Sequence, residues 1–267
     1  MDREDLYTKV EECSKNLKID FSSDEFARFV TENGYSAEQV KAITEVFDYL
    51  NNKRRTAVIN TLLKLSGLST ESPKTFENFI FDKFYGKDAE SVRNMTALSE
   101  VFAGKNIALI GPPGIGKTHL AEAYGYACCQ NGLRTYFLKA SELKDKFVKA
   151  RKNGREATAI NGLVKPSCLI IDEVGRCVFD HDSTAMFFDM VDRRYQKDPP
   201  NCMIFTSNKQ PNDWAEFFEG SDDLNASLDR IFDRAKIITI KGASYRGQER
   251  EILAVEAGSE APGKNKR

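Results

Sequence analysis

Histidine is almost missing from this chain: His119 and His181 are the only two in 267 residues, and ahead of residue 119 Cys13 is the only cysteine. A Cys/His zinc site therefore cannot be assembled in the N-terminal third. The remaining cysteines, Cys128, Cys129, Cys168, Cys177 and Cys202, form no CxxC pair. Three of the six lie in or beside apolar runs, which predicts small core residues and free thiols in a reducing cytoplasm. An excess of one charge is also missing, with 39 basic against 40 acidic side chains. Any contact with nucleic acid must then come from a local patch and not from a global field. No apolar run approaches the roughly 18 to 20 residues of a membrane span, and the N-terminus "MDREDLYTKVEECSKN" is charged. The expectation is a soluble, cytoplasmic protein with no membrane partner. Internal repeats are absent as well.

What is present divides the chain. Residues 1–70 read as a small helical module in which Ser22 with Glu25, and Ser36 with Gln39, form capping boxes. Gly34 supplies a stop between them. A third helix carries Ile43, Val46, Phe47 and Leu50 at helical spacing, and a fourth carries Val58, Ile59, Leu62, Leu63 and Leu65. "STESPKTFENFIFDKFYGKD" then breaks the pattern with Pro73 and alternating aromatics, so 71–104 reads as a linker and the start of the next domain. Within 105–250 the runs "NIALIG", "TYFLKA", "SCLIIDE", "NCMIFTSN" and "AKIITIK" alternate with helical stretches. Short β-rich runs separated by helices predict an α/β fold with a parallel five-stranded sheet covered on both faces. The last 17 residues, 251–267, read as a disordered tail, and no room remains for a C-terminal helical lid.

The second half carries the chemistry. Gly111, Pro112, Pro113, Gly114, Ile115, Gly116, Lys117 and Thr118 match GxxxxGK[ST] between an apolar strand and a helix. Gly114 and Gly116 let backbone amides close around phosphate oxygens, and the helix N-terminus adds favourable partial charge. Lys117 is placed to neutralise the β and γ phosphates of ATP and Thr118 to ligate Mg2+; His119 follows as a further candidate nucleotide contact. "SCLIIDEVG" ends a buried strand in two acids. Magnesium is the counter-charge that such a buried acid requires, which assigns Asp172 to the metal. Glu173 can then polarise a water against the γ phosphate. Water as acceptor makes hydrolysis the favoured reaction and a small-molecule kinase the remote alternative. Asn208, after "MIFTS", is placed to orient that water, ahead of Thr206 and Ser207 as candidates; asparagine also ends strands as an ordinary turn residue.

"GPPGIGKTHLAEA", "LIIDEVG", "FTSNKQPNDW", "LDRIFDRA" and "GASYR", in this order, resemble the AAA+ ATPases of the IstB and DnaC type: the helper ATPase of insertion-sequence transposases and the bacterial helicase loader. The resemblance covers about residues 53–250. It implies a P-loop ATPase that forms homo-oligomers through ATP-bridged interfaces, wraps DNA without marked sequence preference and hands a partner to it. By the same resemblance Lys117 and Thr118 match the Walker A pair, Asp172 and Glu173 the Walker B pair, and Asn208 the first sensor. Arg230 matches the arginine finger offered to a neighbouring subunit, and Arg246 falls where a second sensor could lie.

"SELKDKFVKARKNGR", residues 141–155, holds six basic side chains against two acidic ones. Leu143, Phe147 and Ala150 form an inward stripe; Lys146, Lys149 and Lys152 form an outward one, a candidate DNA backbone contact. A solvated helix face would show the same pattern. Two partners fit the implied ATPase: a transposase, which the helper would recruit or stimulate, and a replicative helicase, which a loader would deliver.

Overall fold

The computed structural model describes residues 2–86, 88–220 and 224–242. Helices α1 (Arg3–Leu17), α2 (Ser23–Glu32) and α3 (Ala37–Leu65) open the chain. Both expected capping boxes form, the Ser22 amide donating to Glu25 Oε2 at 2.8 Å and the Ser36 amide to Gln39 Oε1 at 2.8 Å. The third and fourth helices expected from the sequence are a single element of 29 residues. No glycine or proline interrupts 37–65, so nothing stops a helix about 44 Å long. Val10, Phe26, Val30 and Val40 form a small core among the three helices.

The far end of α3 is anchored elsewhere. Strand β1 spans Ile107–Ile110, and after it β2 spans Thr135–Lys139; the Phe137 amide of β2 donates to the Ser66 carbonyl at 2.7 Å. Gly67, at φ +76°, turns the chain so tightly that a Cβ there would lie 2.7 Å from the Phe137 carbonyl oxygen. The stretch 71–104, read as a linker and the start of the next domain, is packed structure. It contains α4 (Ala89–Arg93), α5 (Ser99–Phe102) and two 3-10 turns. It buries Phe79, Val92, Met95, Leu98 and Val101 against the sheet. Its alternating aromatics fold onto one another, with Phe79 ring centroids 4.9 Å from Phe81 and 5.1 Å from Phe84. Aromatic burial of that size overrides the turn signals around Pro73.

The five predicted strands all form. After β1 come α6 (Lys117–Gln130), β2, α7 (Ala140–Lys152), α8 (Glu156–Val164), β3 (Cys168–Val174), α9 (His181–Tyr195), β4 (Cys202–Ser207), α10 (Leu224–Phe232) and β5 (Lys236–Thr239). The sheet is parallel, in the order β2-β3-β4-β1-β5. Alternate strand residues feed two cores, as the period of a strand requires. Ile107, Leu109, Cys168, Ile170, Cys202 and Ile204 meet α6 and the 68–101 segment. On the other face Ala108, Ile110, Leu169, Ile171, Met203 and Phe205 meet α7 to α10. Cysteines behave as small apolar residues, five of them buried and Cys177 half-buried, all free.

Gly67→Ala tests the anchor of α3. The substitution sets a left-handed φ against a side chain and a Cβ against a backbone carbonyl, which together should cost about 1–3 kcal/mol. Chemical denaturation should show a lower midpoint; a variant as stable as wild type would mean that the turn relaxes freely.

Candidate active site

The carboxyl ends of β1, β3 and β4 converge on one crevice. In the loop after β1, Gly114 and Gly116 take φ of +77° and +98°, conformations that glycine adopts without strain. Gly111 lies under the chain that leaves β5, and a Cβ on it would be 2.3 Å from the Ile240 carbonyl oxygen. Lys117 opens α6, yet its side chain folds back and is only 7 % exposed. Its ammonium donates to the carbonyls of Gly111 at 2.6 Å and Pro112 at 2.8 Å, and to Asn208 Oδ1 at 2.8 Å. The expected lysine and the expected asparagine therefore meet.

The two acids are split by a bulge. Ile171 pairs with Phe205 and Val174 with Ser207, so Asp172 and Glu173 together oppose the single residue Thr206. An extra residue of this kind bends the strand and re-aims its side chains. Glu173 absorbs the strain at φ +60°, a conformation that costs a non-glycine residue of the order of 1–3 kcal/mol and persists only where its surroundings enforce it. Here they do. Thr206 Oγ1 accepts the Glu173 amide at 2.9 Å, and Ser207 Oγ donates to the Val174 carbonyl at 2.7 Å. Asp172 is 2 % exposed and accepts hydroxyls from Thr118 at 2.9 Å and Thr206 at 2.5 Å. Glu173 turns outward, its side chain 31 % exposed, and pairs with Arg176 at 2.8 Å and Lys139 at 3.7 Å.

Thr206, ranked behind Asn208 by the sequence, is thus the hub that holds both acids. The signal was its place: a hydroxyl at the end of the strand beside the acid pair. A buried carboxylate beside a hydroxyl suits Mg2+, which takes one or two protein oxygens and completes its octahedron with substrate phosphates and water. No cluster of three His, Cys, Asp or Glu side chains among the described residues forms a self-sufficient metal cage.

Beside the loop opens a cleft of about 300 Å³, with Gly114, Gly116 and Thr118 on one side and Phe79, Ile80 and Phe84 on the other. These apolar residues were not singled out from the sequence, although the alternating aromatics of "TFENFIFDKF" carry the signal. His119 forms part of the wall. Burial, with the Lys74 charge nearby, pushes its imidazole below the ordinary value and keeps the ring neutral at pH 7. Its Nε2 donates to Asn78 Oδ1 at 2.9 Å and the Thr75 carbonyl at 3.2 Å, so it pins the aromatic segment to α6.

Arg230 does not join this cluster. Its α10 ends beside Asn106, which donates to the Ile231 carbonyl at 2.9 Å. From Asn106 to Gly111 a strand runs about 16 Å along the sheet, so Arg230 sits by the opposite, amino ends of the strands, paired with Asp192 at 2.6 Å. Arg246 lies outside the described residues. On α7, Leu143, Phe147 and Ala150 are buried. Lys146 lies over the Tyr136 ring at 5.5 Å, while Lys149 and Lys152 are exposed and have no carboxylate partner among the described residues. The neighbouring cations are tied down, Lys144 by the Val178 carbonyl at 2.7 Å and Arg151 by Asp180 and Asp182.

Residues 15–252 match the family described as IstB-like ATP binding protein. A relative from Geobacillus stearothermophilus, the insertion sequence IS5376 putative ATP-binding protein, is 37 % identical over 73 % of this chain and 75 % of its own. The insertion sequence IS21 putative ATP-binding protein of Pseudomonas aeruginosa is 36 % identical over 68 % of each chain. Among solved structures, AMPPCP-bound DnaA from Aquifex aeolicus superimposes with a TM-score of 0.53 at 24 % identity, over 66 % of this chain and 51 % of that one. DnaI does so with a TM-score of 0.52 at 19 % identity, over 64 % and 90 %. These two likenesses establish the P-loop α/β fold. No helix among the described residues is long and apolar enough to cross a membrane.

Thr206→Val keeps the shape of the hub and removes its hydroxyl. One donor to Asp172 and the acceptor of the Glu173 amide disappear together, at a cost of about 1–3 kcal/mol for the buried groups left unpaired. Thr206→Ser should retain most of the stability. Equal unfolding free energies for the valine variant and wild type would remove Thr206 from this role.

Proposed function

The chain belongs to the IstB-like ATP binding proteins, and on that footing we propose that it is an ATPase that assembles on DNA in the cytoplasm and recruits or stimulates a transposase. The observation that carries hydrolysis is the bulge opposite Thr206. It gives two adjacent carboxylates separate tasks beside a phosphate-binding loop: Asp172 held inside by hydroxyls, Glu173 turned out towards water.

The loop amides and the N-terminus of α6 receive the triphosphate, where their dipoles meet its charge without reorganising. Lys117, already ringed by three oxygens, exchanges part of that ring for phosphate oxygens. Thr118 and Asp172 would hold Mg2+, which supplies charge neutralisation at the β and γ phosphates. Glu173 takes the proton of the attacking water and Asn208 orients that water. Phe79, Ile80 and Phe84 offer the purine an apolar bed. An acceptor other than water would make the chain a kinase, but Glu173 beside the loop favours water.

Arg230 supports a site completed by a second copy. It lies by the amino ends of the strands, away from its own loop, and by exchanging its Asp192 partner its guanidinium can reach the γ phosphate bound by a neighbour. A nucleotide bridging two chains couples assembly to occupancy, so oligomers should form with ATP and loosen with ADP. The transposase is favoured over a replicative helicase as the partner because the relatives at 36–37 % identity are proteins of insertion sequences. Lys146, Lys149 and Lys152 on α7 are the proposed contacts to the DNA backbone, and Arg246 remains a candidate second sensor.

Mixing variants tests the shared site. Arg230→Ala removes a finger worth about 10³ to 10⁵ in turnover, and Glu173→Gln removes the base, so each alone should bind ATP and barely hydrolyse it. Mixed on DNA, an intact site of the first meets an intact finger of the second, and phosphate release should partly recover. A co-assembled mixture no faster than its components would exclude a finger acting between chains.

Alanine at Lys146, Lys149 and Lys152 together should weaken DNA binding and reduce its salt dependence by up to about three counterions, roughly one for each phosphate left without its lysine. Filter binding between low and moderate salt reads the slope; an unchanged slope would leave α7 a solvated face.

A further inference from the structure

The imidazole on the cleft wall has a fixed tautomer. His119 Nε2 lies 3.2 Å from the Thr75 carbonyl oxygen and 2.9 Å from Asn78 Oδ1. The Asn78 amide cannot turn to offer a donor there, because its Oδ1 accepts the Thr75 amide at 2.9 Å and its Nδ2 donates to the Pro73 carbonyl at 2.8 Å. Both neighbours of Nε2 are therefore acceptors, and that nitrogen carries the proton. Burial keeps the ring neutral at pH 7, and a neutral imidazole with one N–H leaves its other nitrogen a bare acceptor. Here that acceptor is Nδ1. It has no hydrogen-bond partner among the described residues and is not one of their buried unpartnered atoms. Since His119 lines the cleft, the lone pair is open to what enters there.

The surroundings give that lone pair a direction of choice. Lys74, on the same wall, could answer an oxygen on a base, but its ammonium is held by Glu122 at 2.6 Å. The Asn78 amide, which could otherwise read a donor or an acceptor by flipping, is locked by the bonds just described. Lys117 and Thr118 belong to the phosphate end of the crevice, where they meet Asn208 and Asp172. The imidazole borders the Phe79 ring, with centroids 5.2 Å apart and planes at 70°. It thus stands at the rim of a base laid on Phe79 and Phe84.

Resting on the reading of this cleft as the bed of the purine, we infer that His119 Nδ1 selects adenine by accepting a hydrogen bond from the exocyclic 6-amino group. A 6-oxo purine, guanine or hypoxanthine, turns an acceptor to the same lone pair. Neither atom then has a proton to share, and both have given up water. Discrimination of this kind works through unpaired polar groups and not through size. The 6-amino group is remote from the γ phosphate, so the contact is equal in ground and transition states and acts on KM instead of kcat.

The test measures binding by calorimetry, with Mg2+ present, and hydrolysis of ATP, ITP and purine riboside triphosphate. At position 6 these carry an amine, an oxygen and a hydrogen. Wild type should bind ATP about three to ten times more tightly than the purine analogue, the size of one net hydrogen bond. ITP should bind more weakly still, and the differences should lie in KM. Glutamine in place of His119 reaches the position of Nε2, and asparagine that of Nδ1. His119→Gln should therefore keep the tie to Thr75 and Asn78 and the thermal stability of wild type, yet bind all three nucleotides within about twofold of one another. His119→Asn should keep the preference for ATP over the analogue and lose stability. A wild type that binds the three alike, or a glutamine variant with undiminished preference, would overturn the inference. So would an equal weakening of all three nucleotides in His119→Gln, which is what a purely structural wall residue gives. Failure of wild type to bind any of the three defeats the reading of the cleft itself, whatever the variants do.

Discussion

A carboxylate buried at the end of a parallel strand is the constraint on which the active crevice turns. Asp172 is almost wholly shielded, and two hydroxyls from other elements donate to its carboxylate. Those hydroxyls must come from α6 and β4, so the phosphate loop and the fourth strand are locked to the third. Thr206 then serves twice, and its second bond, to the Glu173 amide, is what sustains the bulge. Without the bulge a strand would send Asp172 and Glu173 to opposite faces, one of them into the core. The strain at Glu173 is the cost of presenting both acids to one crevice.

The aromatic segment between α3 and β1 connects that crevice to the N-terminal helices. Phe79 packs under Gly116 of the loop, edge-on to His119 and Phe81, and meets Phe84 at a tilt. A few residues earlier the same stretch leaves Gly67, whose turn is fitted against β2. One continuous packed path thus runs from the long helix to the wall of the cleft.

Charge placement divides the rest of the domain by sheet edge. The loop, the acids and the Glu173 cations gather at the carboxyl ends of the strands, while Arg230 and its Asp192 partner lie by the amino ends. A parallel sheet makes that separation unavoidable, since every strand points the same way.

Much of this was written in local sequence. Capping boxes at Ser22 and Ser36, five apolar runs and the glycine loop depend on neighbours a few residues away, and such signals survive folding intact. The long α3 was legible too, in the absence of any breaker, but its two apolar stripes invited division. Only tertiary packing decided the rest. The aromatics of 76–84 look like a punctuated linker until the sheet supplies a face to bury them. Thr206 looks secondary to Asn208 until register sets it opposite two acids. Lys139 and Arg176 carry no motif at all; a strand end and a turn distant in sequence bring them to one carboxylate. Lys117, Thr118, Asp172 and Glu173 could be singled out from spacing, and the fold brings them to one crevice. Their partners could not, because a hydrogen bond across strands is set by the alignment of the sheet, which no short stretch of residues contains.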